Sequence, residues 1–311
     1  MTATKSMTVK NRKGGQIGAG AGDRVFQIIN YTVFILFTLI CFYPFYFLLI
    51  NSVSDGNAVD LGKVIFVPVG FSLQNYRNIF TLPNFGMSAL MSVLRTVLGT
   101  AGTLFVTSYM AYFFTKSDMW HHKLWYRIVI ATMYFSAGMI PTYLNIKSLG
   151  LVNSFWVYIV PGLLSVYNMV LIKTYMESIP ASMEESAELD GAGPMRRFLL
   201  IILPLSIPIL ATVTLFTAVA QWNSFMDTLL YVTDEELYTL QYTLQMYFRQ
   251  ADVISKQIAS GISSADSVAQ SLSPTTIRLT ITVIVTVPIL LVYPFVQRYF
   301  VKGIMVGAVK G

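Results

Sequence analysis

Three glutamates, Glu184, Glu185 and Glu188, precede Asp190, Gly191 and Pro194, and two arginines, Arg196 and Arg197, follow. Acids favour the positive end of a helix dipole, and Ala181 or Ser182 after Pro180 can open a helix. Met183, Ala187 and Leu189 give it modest apolar surface. Gly191 stands where a helix can close through a left-handed residue, and Pro194 suits the first turn of a second helix. The segment 177–204 therefore reads as two short helices joined by a tight turn. Glu184 and Glu188 are expected to be solvated, as acids in such a loop usually are.

Other residues with chemical potential are few. Arg95 lies within an apolar run, near an end from which a long side chain can snorkel to a membrane interface, and a structural role is expected. His121 and His122 are adjacent but lack cysteines or carboxylates at metal-ligand spacing, so they are read as surface residues. Cys41 is the single cysteine and cannot form an internal disulfide. The chain contains no G-x-x-x-x-G-K-[ST] nucleotide loop and no nucleophile–base pair within an apolar run. It is not expected to be an enzyme, to bind a cofactor or to hold a metal.

The elements that must position these residues are set by the solvent. Apolar residues make up 55% of the 311 and charged residues only 12%, with a mean hydropathy of +0.61. A soluble domain carries about 25% charged residues. Lipid is therefore the expected surroundings, and the fold class is all-α and integral to the membrane. About six transmembrane helices are expected, near 27–50, 87–115, 125–145, 154–176, 205–224 and 277–299. Pro44, Pro161, Pro208 and Pro288 predict kinks or local unwinding.

The net charge of +6 follows the ends of the apolar runs rather than forming a basic patch, so no nucleic acid is expected as a partner. Positive residues gather in the first 24 residues, at Lys116, Lys123 and Arg127, at Arg196 and Arg197, and near the end of the chain. This places both termini and the segment 177–204 in the cytoplasm of a multi-pass cell-membrane protein. Residues 1–24 are expected to be a flexible tail and 25–311 the transmembrane domain. Segments 51–86 and 225–276 are expected outside, the latter helical over 236–250 and looser over 255–273. Gly99, Ala101, Gly102 and Ala111 suggest close helix contacts.

Glu185-Ser186-Ala187, three residues, Gly191, nine residues and Ile201-x-Leu203-Pro204 resemble the EAA signature of ABC-importer permeases, with Ser186 as the departure. Asp190-Gly191-Ala192 is similar to the Asp-Gly-Ala of the sugar-importing branch. Tyr43-Pro44-Phe45 with Asn51-Ser52, Gln221-Trp222-Asn223, and the endings 297–303 and 307–311 resemble MalG-like subunits. Residues 137–150 and 177–190 lean towards the subgroup for complex oligosaccharides and polysaccharide fragments.

The resemblance implies an ABC importer permease (MetI-like) fold and a transport subunit without catalysis of its own. Implied partners are a second homologous permease, two ATPase subunits that bind the ATP and Mg, an extracytoplasmic sugar-binding protein and membrane lipid. Glu185, Ser186, Ala187, Asp190, Gly191, Ala192, Ile201, Leu203 and Pro204 would form the loop docking on an ATPase, with Glu185 making a charge-assisted contact there. Gln221, Trp222 and Asn223, with Asp227 close by in sequence, either line a sugar path or anchor the fifth span at the interface. Two other readings compete: an ABC permease for a non-sugar solute, and a secondary transporter, which would show ionisable groups at mid-membrane or interrupted helices.

Overall fold

A computed structural model describes residues 21–117, 120–259 and 274–308. Most of the expected tail, the latter part of the expected loose stretch 255–273 and the last three residues lie outside them. The chain divides into two units, Met1–Phe47 and Leu48–Gly311. The described part of the first unit belongs to a single helix, α1 (Ala21–Ser52), whose apolar side chains from Val25 to Tyr43 are exposed. An uninterrupted apolar surface of that length requires an apolar solvent.

In the second unit, two short helices, α2 (Gly56–Asp60) and α3 (Gln74–Phe80), lead to α4 (Phe85–Phe113). After α5 (His122–Thr132) and α6 (Met139–Ser148), 3-10 turns at Phe155–Tyr158 and Val160–Gly162 precede α7 (Val166–Met176). The loop helices α8 (Ser182–Leu189) and α9 (Pro194–Arg197) run through a π-helical segment, Phe198–Ile202, into α10 (Leu203–Leu205) and α11 (Ile207–Asn223). The chain continues with α12 (Met226–Tyr231), α13 (Leu240–Ala259) and α14 (Pro274–Ala308). Among the described residues there is no strand.

Among the described residues, three helices are long and apolar enough to cross a membrane, or up to five if each of two bent pairs is one span. The bent pairs are Phe155–Gly162 with Val166–Met176, at 48°, and Pro194–Leu205 with Ile207–Asn223, at 83°. The stretch expected as a third span, 125–145, is divided between α5 and α6. Gly138, at φ +85°, begins α6 from a backbone conformation that interrupts a continuous helix.

The buried face of α4 is its small and hydroxyl-bearing one: Ser88, Ser92, Arg95, Gly99, Thr103, Thr107 and Ala111, while Val93, Val97, Leu98 and Phe105 are exposed. Lipid tails are as apolar as leucine, so small and polar residues pack inward and apolar ones turn out. This stripe meets α11 and α7. A Cβ on Gly99 would come within 2.8 Å of the Gln221 amide, and one on Gly102 within 2.8 Å of Leu163. The expected close contacts at these two glycines are present.

Candidate functional site

The loop after α7 closes as its sequence suggests. At the end of α8, Gly191 N–H donates to Glu188 O (2.9 Å) and Ala192 N–H to Ala187 O (2.9 Å). That double bond pattern is a Schellman cap, and Gly191 takes the left-handed φ of +78° it requires. A Cβ there would meet nothing within 4 Å, so backbone conformation rather than space selects glycine. Pro194 then begins α9.

One face of α8 is fixed to the protein. Glu184 accepts from Tyr112 Oη (2.6 Å), in the last turn of α4, and from Lys116 Nζ, just past its end, and Arg197 lies 3.8 Å away. The Glu184 side chain is 16% exposed, so the expectation that it is solvated is corrected. Burial pushes its carboxyl up, but hydrogen bonds from Lys116 and Tyr112 and the charges of Lys116 and Arg197 outweigh this and hold it below the usual glutamate value. Glu188 stays largely exposed yet accepts from Arg197 (2.5 Å), closing α8 onto α9.

The other face is open. At 100° per residue Glu185, Ser186 and Leu189 share one side of α8, and all three are exposed. Leu189 is 89% exposed, an unusual position for a leucine outside an apolar run. Among the described residues Glu185 has no partner in this chain. The helix therefore presents a carboxylate, a hydroxyl and an apolar side chain away from the body that holds it.

Downstream, Phe198 is fully buried and packs its ring on Tyr109 and Tyr112. It joins Met169, Ile172, Ile202 and Val213 in a core against which Ile201 and Leu203 also pack. Leu203 N–H donates to Phe198 O, a widened i→i+5 turn. Pro204 has no N–H with which to continue the α-ladder, and the widened turn lies immediately before it. The 83° bend follows at Ser206. The loop is thus joined to the spans at two places, through Glu184 to Tyr112 of α4 and through Phe198 to the core it shares with α7 and α11.

At the far end of α4 lies a second polar cluster. Arg95, 2% exposed, donates from Nε to Gln221 Oε1 (2.9 Å), from Nη1 to Ser224 O (3.1 Å) and from Nη2 to Asp227. Its guanidinium lies 4.7 Å from the centre of the Tyr158 ring. Arg95 does not snorkel. A buried guanidinium needs partners, and the sharp end of α11 supplies them. Of the four residues singled out there, Gln221 and Asp227 join this cluster. The Trp222 indole donates to Val285 O (2.9 Å) and packs near Ile281 and Leu244. Asn223 is exposed and bonds back to Val219 O. His122 is partly buried, hydrogen-bonded to Phe114 O (2.9 Å). Among the described residues no cluster of metal-ligating groups occurs.

Sequence reasoning missed Tyr112, Lys116 and Arg197 as the anchor of α8 and Asp227 as the partner of Arg95. The i,i+4 spacing of Tyr112 and Lys116 at the end of an apolar run was the available signal.

No family model matches the chain. It is 39% identical to the polygalacturonan/rhamnogalacturonan transport system permease protein YtcP of Bacillus subtilis, over 93% of this chain and 99% of that protein. It is 37% identical to Protein LplC of the same organism, over 98% of both. A solved bacterial ABC transporter involved in the import of the acidic polysaccharide alginate contains a chain of similar structure, with a TM-score of 0.79 and 30% identity. The match covers 90% of this chain and 98% of that one.

Proposed function

This chain belongs to the permease family of ABC importers, and from that premise we propose that it forms one membrane-spanning subunit of an ATP-driven oligosaccharide importer. It is a transport subunit, not an enzyme, and ATP hydrolysis belongs to partner ATPases. The observation that carries the carbohydrate reading is end-to-end similarity to a polygalacturonan/rhamnogalacturonan permease. The division of α8 into a clamped face and an open face supports the coupling role.

In this reading α8 is the handle on which an ATPase subunit pulls. Glu185 takes a charge-assisted bond from a basic or amide donor, Leu189 seats in an apolar hollow, and Ser186 and Ala187 keep the approach close. Asp190, Gly191 and Ala192 form the cap that ends the handle, and Ile201, Leu203 and Pro204 tie it to the bend before α11. A second homologous permease completes the path, two ATPases drive it and a sugar-binding protein delivers cargo from outside. Both termini and α8 face the cytoplasm, in keeping with the distribution of Lys and Arg.

The break between Val160–Gly162 and α7 is also a device of secondary transporters. Membership of the ABC family over nearly the full chain outweighs it. The test is uptake of oligogalacturonides by proteoliposomes holding this chain, its companion permease and the ATPases. Uptake should require ATP and the binding protein and ignore collapse of ion gradients. Glu185→Lys should abolish it while the complex still inserts. ATP-independent, gradient-driven uptake would overturn the proposal.

A further inference from the structure

A cavity of about 440 Å³ lies between α13, α14 and the last turns of α1, all of it within the second unit. Its volume falls within the range of about 300–1,000 Å³ usual for small-molecule sites. On α13, Gln245, Phe248, Arg249 and Asp252 follow helical spacing and share the face that lines it. Arg278 and Thr282 line it from α14. Leu48 of α1 and Leu279 of α14 complete the wall, and both belong to stretches apolar enough to cross a membrane.

The depth of the cavity follows from the helix ends. α13 begins near the start of α4, where Leu240 N–H donates to Ser92 Oγ (2.8 Å), whereas α8 is held at the other end of α4. Leu48 lies about one turn before α1 ends at Ser52, and Arg278 about one turn after α14 opens at Pro274. The cavity therefore sits just inside the ends of two spans, at headgroup level, on the side of the membrane opposite α8.

The charges there are unlike those elsewhere in the chain. Arg95 and Arg197 each have a carboxylate partner. Among the described residues, neither the Arg249 nor the Arg278 guanidinium donates a hydrogen bond or forms an ion pair. Arg278 is half-buried, with its guanidinium 5.5 Å from the centre of the Phe248 ring. One interfacial arginine needs no ligand, because it can snorkel. Two on different helices lining one cavity repel each other, and Asp252 offsets only one of the two charges.

We propose that this cavity holds the headgroup of an anionic glycerophospholipid. Arg249 and Arg278 take the phosphate through paired N–H donors, and the Gln245 amide bonds hydroxyl or ester oxygens of the headgroup. The acyl chains leave along Leu48 and Leu279. A soluble anion would satisfy the arginines but not the leucines, whereas a lipid matches both. A zwitterionic lipid binds less tightly, because its own ammonium offsets the phosphate. The lipid bridges α13 and α14, whichever solute the importer carries.

The test uses the complete importer in phosphatidylcholine nanodiscs holding a trace of phosphatidylglycerol with a diazirine close to its headgroup. Adducts formed in light are mapped by peptide mass spectrometry. They are expected within 245–252 and 278–282 of this chain, and excess unlabelled phosphatidylglycerol should suppress them several-fold. Arg249→Gln combined with Arg278→Gln should lower the yield several-fold, with either single variant used if the pair does not assemble. Arg77→Gln, which removes an exposed charge from α3, should leave it unchanged. Asp252→Asn should raise the yield, which damage to packing would not do. No adducts at these segments, equal yield from a diazirine phosphatidylcholine, or indifference to loss of the arginines would overturn the site. Suppression by inorganic phosphate would mark a small-anion site and overturn the lipid as its occupant.

Discussion

Glu184→Gln keeps the size of the side chain and removes the charge on which Tyr112 and Lys116 converge. A hydrogen bond to a charged group contributes about 1.5–3 kcal/mol, against about 1 kcal/mol for a neutral one. Lys116 is 35% exposed and can recover water, so its share lies near the low end of exposed pairs. The expected loss is about 2 kcal/mol in the docking of α8 on α4, or roughly thirty-fold in the equilibrium between docked and detached loop.

An eight-residue helix is not stable alone in water, so detachment should melt α8 and release its closing amides. Hydrogen exchange of Asp190, Gly191 and Ala192, whose N–H groups bond to Ser186, Glu188 and Ala187, should accelerate by about the same roughly thirty-fold factor. The measurement is exchange mass spectrometry on the importer in nanodiscs, read beside uptake per ATP hydrolysed. The folded carboxyl is held below its ordinary value, so its contribution is fully present above that value and fades as pH falls through the folded pKa. Exchange should be flat through neutral pH, apart from intrinsic chemistry, and rise only in acid. Unchanged exchange and unchanged coupling in the glutamine variant would refute the clamp.

Gly191→Ala should destabilise the loop by about 1–2 kcal/mol, because the φ of +78° strains any L side chain while space around the Cβ is free. Gly191→Pro should abolish uptake, since it also removes the bond to Glu188 O; normal uptake at matched expression would count against the turn. Asp227→Ala, by leaving Arg95 buried without its carboxylate, should lower stability by about 3–5 kcal/mol in a detergent melt. Arg95→Met combined with Asp227→Leu should recover most of that loss. Gly99→Ala should push the Gln221 amide away and weaken the bond from Arg95 Nε, a smaller effect of about 1 kcal/mol in the same melt.

Much of the architecture is legible in the residues alone. Low charge and long apolar runs indicate helices in lipid, because an unpaired backbone has no partner there. The turn at Gly191 and the start at Pro194 are local features, set by backbone preferences within a few residues, and α8 and α9 lie where they indicate. The helix in the segment 225–276 was expected over 236–250 and covers Leu240–Ala259. Its extension past 250 reflects residues with no strong stop signal, Asp252, Val253 and Ile254 among them.

The rest depended on partners far apart in the chain. Glu184 reads as one more solvated acid until α4 delivers Tyr112 from 72 residues away. Arg95 reads as a snorkelling cation until α11 ends beside it and Asp227, 132 residues on, closes the pair. Trp222 and Gln221 are neighbours in sequence but diverge, one to Val285 and the other to Arg95, because successive helical positions are turned 100° apart. Residue type and spacing determined the solvent, the helices and the loop's shape. Which polar groups meet was decided only by packing, since a desolvated charge or hydroxyl takes whichever partner the fold brings within reach.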